Sequence, residues 1–244
     1  MFEYRRYSGN VSDPGPASSS PHAEVYLSGR GIVGRVQMVF AATAISTTED
    51  VTRTAAMTFR RDCPGANVLC ILQHISDLVR SKSKYEPDEG AVFGVGSDVD
   101  IFRTLKRILS TGGRDCDCAA IATMAILACM DIQTGCRVIE QRGVGDTTYS
   151  WSHIWSWALK NGIMTHLELS PRPAPLSAEA PVDWHTPETT YRRHRDFVYD
   201  PIAWAAWLAK CDLKKQVFAQ FPAISDMPVM ACLNCGHCTG KCKR

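Results

Sequence analysis

Cys116 is the residue in this 244-residue sequence best placed for nucleophilic chemistry. It lies in GGRDCDCAAIATMAILACM (112–130), with Asp115 and Asp117 on either side and Cys118 next. Beyond it, only Thr123 interrupts apolar residues as far as Met130. A helix apolar all round must be buried on every side. Asp115 or Cys116 then falls at its N-terminus, where backbone N–H groups lack partners and the helix dipole is positive. A thiol there is expected to have its thiolate stabilised, and the thiolate is the nucleophile. The plainer alternative is that the aspartates cap the helix and the cysteines pack as small hydrophobes.

A nucleophilic cysteine needs a base, usually histidine, and often a third group to orient it. The segment TYSWSHIWSWALKNGIMTHLELSP predicts a hairpin. In its first arm Trp151, His153, Trp155 and Trp157 alternate with Ser152, Ile154 and Ser156, the period of a strand. Asn161-Gly162 is a strong signal for a type I′ turn. That turn would set Lys160 opposite Ile163, Trp155 opposite Glu168 and His153 opposite Ser170. Directly opposed residues share a face, so Glu168 and Ser170 both lie on the histidine's side. His166 shares that face.

A second constellation closes the chain. Cys232, Cys235, Cys238 and Cys242 follow a C-x2-C-x2-C-x3-C spacing, with His237 inside. Four thiolates suit a structural zinc site. The spacing also matches a bacterial ferredoxin run, although the fourth cysteine of such a run serves a second cluster and no second run is present. A tail of reduced cysteines is the remaining alternative.

The elements that must position these groups are partly legible. Residues 31–45 suit a strand, with a helix as the alternative. Helices are expected over 46–62 and 66–85, the second carrying His74 on its surface, then a loop over 86–98 and a helix over 99–111. A strand is expected at 136–142 and a proline-rich excursion at 171–187. Asp200 and Pro201 mark the start of a helix that runs on to about 221. Residues 1–22 read as a flexible arm, 23–222 as one domain and 223–244 as the cysteine-rich tail or knuckle. His185 and His194 read as surface residues.

The net charge of +2 gives no sign of nucleic-acid binding. No segment has the apolar length of a membrane span, and the first residues lack the core of a signal peptide. A cytoplasmic protein is expected. Its eleven cysteines are expected to be mostly reduced thiols.

Cysteine at the head of a buried helix, histidine on a strand and an acid on the next antiparallel strand resemble the transglutaminase-like branch of the papain-like fold. The segment around Cys116 resembles that family's glycine-aspartate-cysteine-aspartate motif. SHIWSWAL resembles its serine-histidine-valine-tryptophan strand, and LSP (169–171) stands where the family carries leucine-aspartate-proline. KYEPDEG and VDIFRTLKRIL resemble the approach to the cysteine in compact members found in bacteriophage genomes. The resemblance covers about residues 48–172.

It implies an α+β fold with a buried central helix carrying the cysteine, an antiparallel sheet carrying the histidine, and N-terminal helices. It implies Cys116 as nucleophile and His153 as general base and acid, with no cofactor needed for catalysis. Arg114 departs from the glycine usual before Asp115, and Cys118 from a frequent aspartate. Ser170 occupies the acid position, so the third group is Glu168, Ser170 or neither, with Asp200 a distant alternative. The expected activity is acyl transfer on a protein or peptide amide, by hydrolysis or by crosslinking. The alternatives are a catalytically decayed fold serving in a phage particle, bound to phage structural proteins, and a metal- or redox-binding protein centred on the C-terminal cysteines.

Overall fold

The computed structural model describes residues 23–26, 32–85, 99–143, 147, 150–169, 189–210 and 231–232. The expected arm, the loop at 86–98, Ser170, the excursion at 171–187 and most of the tail lie outside these residues. The fold is of mixed helix and strand, consistent with α+β.

Its centre is helix α5 (Cys116–Cys129), every residue of which from Cys118 to Leu127 is buried. An apolar stretch without an amphipathic period can be satisfied only by neighbours on all sides, and α5 has them. Ala120, Ile121 and Met124 pack with helix α1 (Ile32–Thr47), with helix α6 (Pro201–Lys210), and with Cys136, Val138, Ile154 and Phe197 of the sheet. Ala119, Ala122, Ile126 and Leu127 pack with helices α2 (Asp50–Asp62), α3 (Val68–Lys82) and α4 (Leu105–Thr111).

The main sheet is antiparallel throughout, in the order β7-β6-β5-β8-β9. Its strands are β5 (Gln133–Gly143), β6 (Ser150–Lys160), β7 (Ile163–Leu167), β8 (Thr189–Val198) and β9 (Ala231–Cys232). The hairpin has the expected register, with Lys160 opposite Ile163. Its turn residues Asn161 and Gly162 both have positive φ, 53° and 77°, as a type I′ turn requires. Lys160 Nζ donates to the carbonyls of Gly65 (2.8 Å) and Ala66 (2.6 Å), fastening the turn end of β6 to the α2–α3 connection. A disulfide between Cys63 and Cys70 spans that same connection. Four other described cysteines, Cys116, Cys118, Cys129 and Cys136, are free thiols.

Two expected elements differ. Of the run 31–45, residues 32–45 lie in helix α1 rather than a strand. Nearly all of that helix is buried, so the run has no period of its own to read, and packing between α5 and α6 decides its form. The helix expected over 99–111 begins only at Leu105, because Val99–Phe102 form strand β3, paired with β1 (Ala23–Tyr26). The start of α4 is fixed from outside. Glu49 accepts from the main chain of Lys106 (3.1 Å) and from Thr104 Oγ1 (2.6 Å), while Ser46 Oγ accepts from the Leu105 N–H. Burial raises the Glu49 pKa against the pull of these hydrogen bonds. Strand β8 has no counterpart in the expected elements, and β9 falls within the expected tail.

Gly135 marks the tightest contact in the sheet. A Cβ there would lie 2.0 Å from the Phe197 carbonyl oxygen and 2.3 Å from the Trp157 ring. Overpacking typically costs about 1–3 kcal/mol, and a backbone oxygen cannot yield as a side chain can. Gly135→Ala is therefore expected to lower stability by about 3 kcal/mol in urea denaturation, with both neighbouring strands displaced.

Candidate active site

Three local features set Cys116 in place. Gly112 closes α4 in the left-handed conformation, φ 75°, which glycine adopts without steric cost. The next two residues form strand β4 (Gly113–Arg114), parallel to β2 (Lys84–Tyr85), with the Lys84 N–H donating to the Gly112 carbonyl at 2.7 Å. Asp115 is then the N-cap of α5, its Oδ1 accepting from the Cys118 N–H at 2.9 Å. Cys116 is the first helical residue and keeps part of its surface open. Cys118, one step on, is fully buried and accepts from the Arg103 N–H at 3.2 Å. The second cysteine of the pair is thus a packing residue, and only Cys116 is presented.

His153 and Glu168 meet as the hairpin analysis expects. The β6–β7 ladder ends at Ser156 opposite Leu167, so Glu168 lies one residue past the paired strand. From there its Oε2 lies 2.7 Å from His153 Nε2, with the two side chains 8% and 2% exposed. Arg80 Nη2 donates to the Glu168 carbonyl at 3.3 Å, tying that residue to α3. Trp155 packs beside the imidazole, with ring centroids 5.7 Å apart. The main chain of Ile154, next to His153, hydrogen-bonds Cys116. The strand that carries His153 thus runs against the head of α5, where Cys116 begins the helix.

The thiolate expectation needs correction. Burial pushes the Cys116 thiol well up, and the carboxylates of Asp115, Asp117 and Glu168 push it the same way. The Ile154 hydrogen bond pulls down, but more weakly. Burial, with the three carboxylates adding to it, favours the neutral thiol. The surroundings of Cys116 do not favour its ionisation.

The other expected residues fall elsewhere. His166 does not contact the His153–Glu168 pair. Its Nδ1 accepts from Trp155 Nε1 at 3.0 Å, and burial, helped by Arg137, lowers its pKa to about 4. Arg137 and Asp196 form a buried bidentate pair nearby, both bonds 2.7 Å. His194 belongs to that group, its Nε2 3.8 Å from Asp196, and is not the lone surface residue expected. Asp200 caps α6, accepting from Ile202 and Ala203 at 3.0 Å, and plays no part at Cys116. His74 stacks on Phe59. Cys232 lies in β9, while Cys235, Cys238 and Cys242 lie outside the described residues.

Among the described residues, two groups bring three metal-ligating atoms within 4.8 Å of one another. In Cys63, Cys70 and His74 the two sulfurs are bonded to each other. In Asp115, Asp117 and Cys118, the Asp115 oxygen is engaged by the helix cap.

Sequence reasoning missed the polar groups around the pair, namely Tyr85, Arg80 and Arg114. Burial is the largest influence on both Arg114 and Tyr85, and each feels Glu168 and Asp115. The departure from glycine at position 114 was the available signal.

No protein-family model matches the chain, and no curated protein matches it. A solved structure from Parabacteroides distasonis, described as a "putative protease", is similar over 59% of this chain and 31% of its own length. Identity is 15% and the TM-score 0.34. The chain spans about a third of that protein, and likeness of this degree fixes neither fold nor activity. No described helix is long and apolar enough to cross a membrane.

Two outcomes follow from the charges. Asp117→Asn removes one of the anions that oppose the thiolate. Alkylation of Cys116, followed by peptide mass spectrometry across pH 6–10, should shift toward lower pH in that variant. His166 gives a pH effect on stability. The unfolded chain takes up a proton at this residue below about pH 6.5, whereas the folded protein resists it until about 4. Stability is therefore lost as pH falls between these values, by about 2 kcal/mol at pH 5. His166→Asn keeps an acceptor for Trp155 and removes the titration. Its urea stability should fall less than wild type between pH 7 and pH 5.

Proposed function

We propose that this chain is a cysteine-dependent hydrolase of amide bonds in a protein or peptide substrate, with a transglutaminase-like, papain-like core. The observation that carries this reading is the buried 2.7 Å contact between His153 Nε2 and Glu168 Oε2, on the strand whose Ile154 main chain hydrogen-bonds the helix-terminal Cys116. A surface histidine gains little from such a contact. An imidazole that must accept and release a proton gains both orientation and a counter-charge from it.

The Cys116 thiol passes its proton to His153 Nδ1 as the sulfur attacks the amide carbonyl. Glu168 holds Nε2 and stabilises the imidazolium. The main-chain N–H of Cys116, at the head of α5, donates to the developing oxyanion. The tetrahedral intermediate collapses as His153 returns the proton to the amine, which leaves, and a thioester remains. Water, deprotonated by His153, hydrolyses the thioester and restores the thiol. The raised Cys116 pKa makes proton transfer part of the attack. Glu168 takes the role of the acid, in place of the family's aspartate position at Ser170.

Peptide-resolved labelling by iodoacetamide tests the pair without knowledge of the substrate. At pH 7.5 the Cys116 rate should fall by about a hundredfold in His153→Ala, within the range of general-base contributions, while Cys129 is unaffected. Labelling of Cys116 that ignores His153 would remove the basis of the reading.

A further inference from the structure

Arg114 is a buried cation that the chemistry above does not use. It is 4% exposed, and its Nε and Nη1 are enclosed without a hydrogen-bond partner. A guanidinium cannot shed its charge at any working pH, and its donors form a fixed fork. Enclosed donors that neither the protein nor bulk water serves are costly, and such groups in native structures call for an explanation.

One oxygen of each nearby carboxylate is engaged by another group. Glu168 Oε2 is on His153, and its carbonyl receives Arg80. Asp115 Oδ1 receives the Cys118 N–H. Tyr85, opposite Arg114 in the β2–β4 pair, is only half-buried, so this strand pair adjoins solvent while Nε and Nη1 of Arg114 stay covered. Arg80 adds a second positive charge in the same region. Arg114 also stands two residues before Cys116, about 7 Å along an extended chain.

Building on the hydrolase reading, we propose that Arg114 binds a carboxylate of the substrate, positioned close to the amide that Cys116 attacks. A carboxylate is the planar acceptor that matches the guanidinium fork. The assignment runs against the rest of the local field. Asp115, Asp117 and Glu168 surround Cys116 with negative charge, so without a dedicated cation an anionic ligand would be repelled from the sulfur.

That opposition makes the test sharp. Iodoacetate and iodoacetamide alkylate the same sulfur and differ in a carboxylate against an amide. The ratio of their rates is read at Cys116 by peptide mass spectrometry, with Cys129 as the internal reference. In wild type the iodoacetate-to-iodoacetamide ratio at Cys116 should exceed that at Cys129 by about tenfold, the worth of one charge-assisted contact. Arg114→Gln should bring it to the Cys129 value or below, and Arg114→Lys should retain part of the preference. Iodoacetamide labelling of Cys116 should remain close to wild type in Arg114→Gln, marking an intact site. Sodium propionate should slow iodoacetate labelling of wild-type Cys116 saturably, where equal sodium chloride does not, which keeps the test decisive if the variant does not fold.

A wild-type ratio no higher than at Cys129, a ratio unchanged by Arg114→Gln, or no protection by propionate would each overturn the assignment. Failure of the hydrolase reading shows separately, as iodoacetamide labelling of Cys116 that does not respond to His153→Ala.

Discussion

Helix α5 offers no polar face to solvent, and that constraint organises the molecule. Such a segment is stable only when enclosed. The enclosure comes from α1 and α6 on one side, α2, α3 and α4 on another, and the inner face of the sheet on the third. At its N-terminus α5 meets polar groups, where Asp115 caps it and Cys116 begins it. The apolar run thus both builds the core and selects where a reactive side chain can stand.

Charge at that end is denser than the helix alone would suggest. Three carboxylates oppose ionisation of Cys116. Two arginines, Arg80 and Arg114, stand around Glu168. A preformed thiolate is disfavoured in this field, and a neutral thiol waiting for a base fits it. The geometry of the His153–Glu168 pair is fixed by β6 and by the residue just past β7.

Legibility in the sequence followed how local each signal was. Asn161-Gly162 fixed the hairpin register through backbone conformation alone, and with it the approach of Glu168 to His153. The all-apolar stretch after Cys116 announced a buried helix. Helix α1 was ambiguous because burial on nearly every face erases its period. Strand β8, TTYRRHRDFV, hides its nature behind charges that find partners only across the sheet, Asp196 with Arg137 and Arg193 with Glu140. The ionisation of Cys116 was misjudged for a similar reason. The helix terminus, Asp115 and Asp117 are visible in the sequence, but the burial that weighs most on the thiol arises only through the tertiary fold, as does the approach of Glu168.

The clamp at Lys160 has a mechanical consequence. Strand β6 carries His153 near one end and is bolted to the α2–α3 corner at the other by two hydrogen bonds from Lys160. Seven residues of strand separate the two points, a lever of about 23 Å. A tilt of roughly 3° about the bolt would carry the imidazole by about 1 Å relative to a sulfur mounted on α5, which in the proposed reaction would cost on the order of a hundredfold in rate. The corner that the Cys63–Cys70 bridge spans is thus the fulcrum of the site, although it lies a strand's length away.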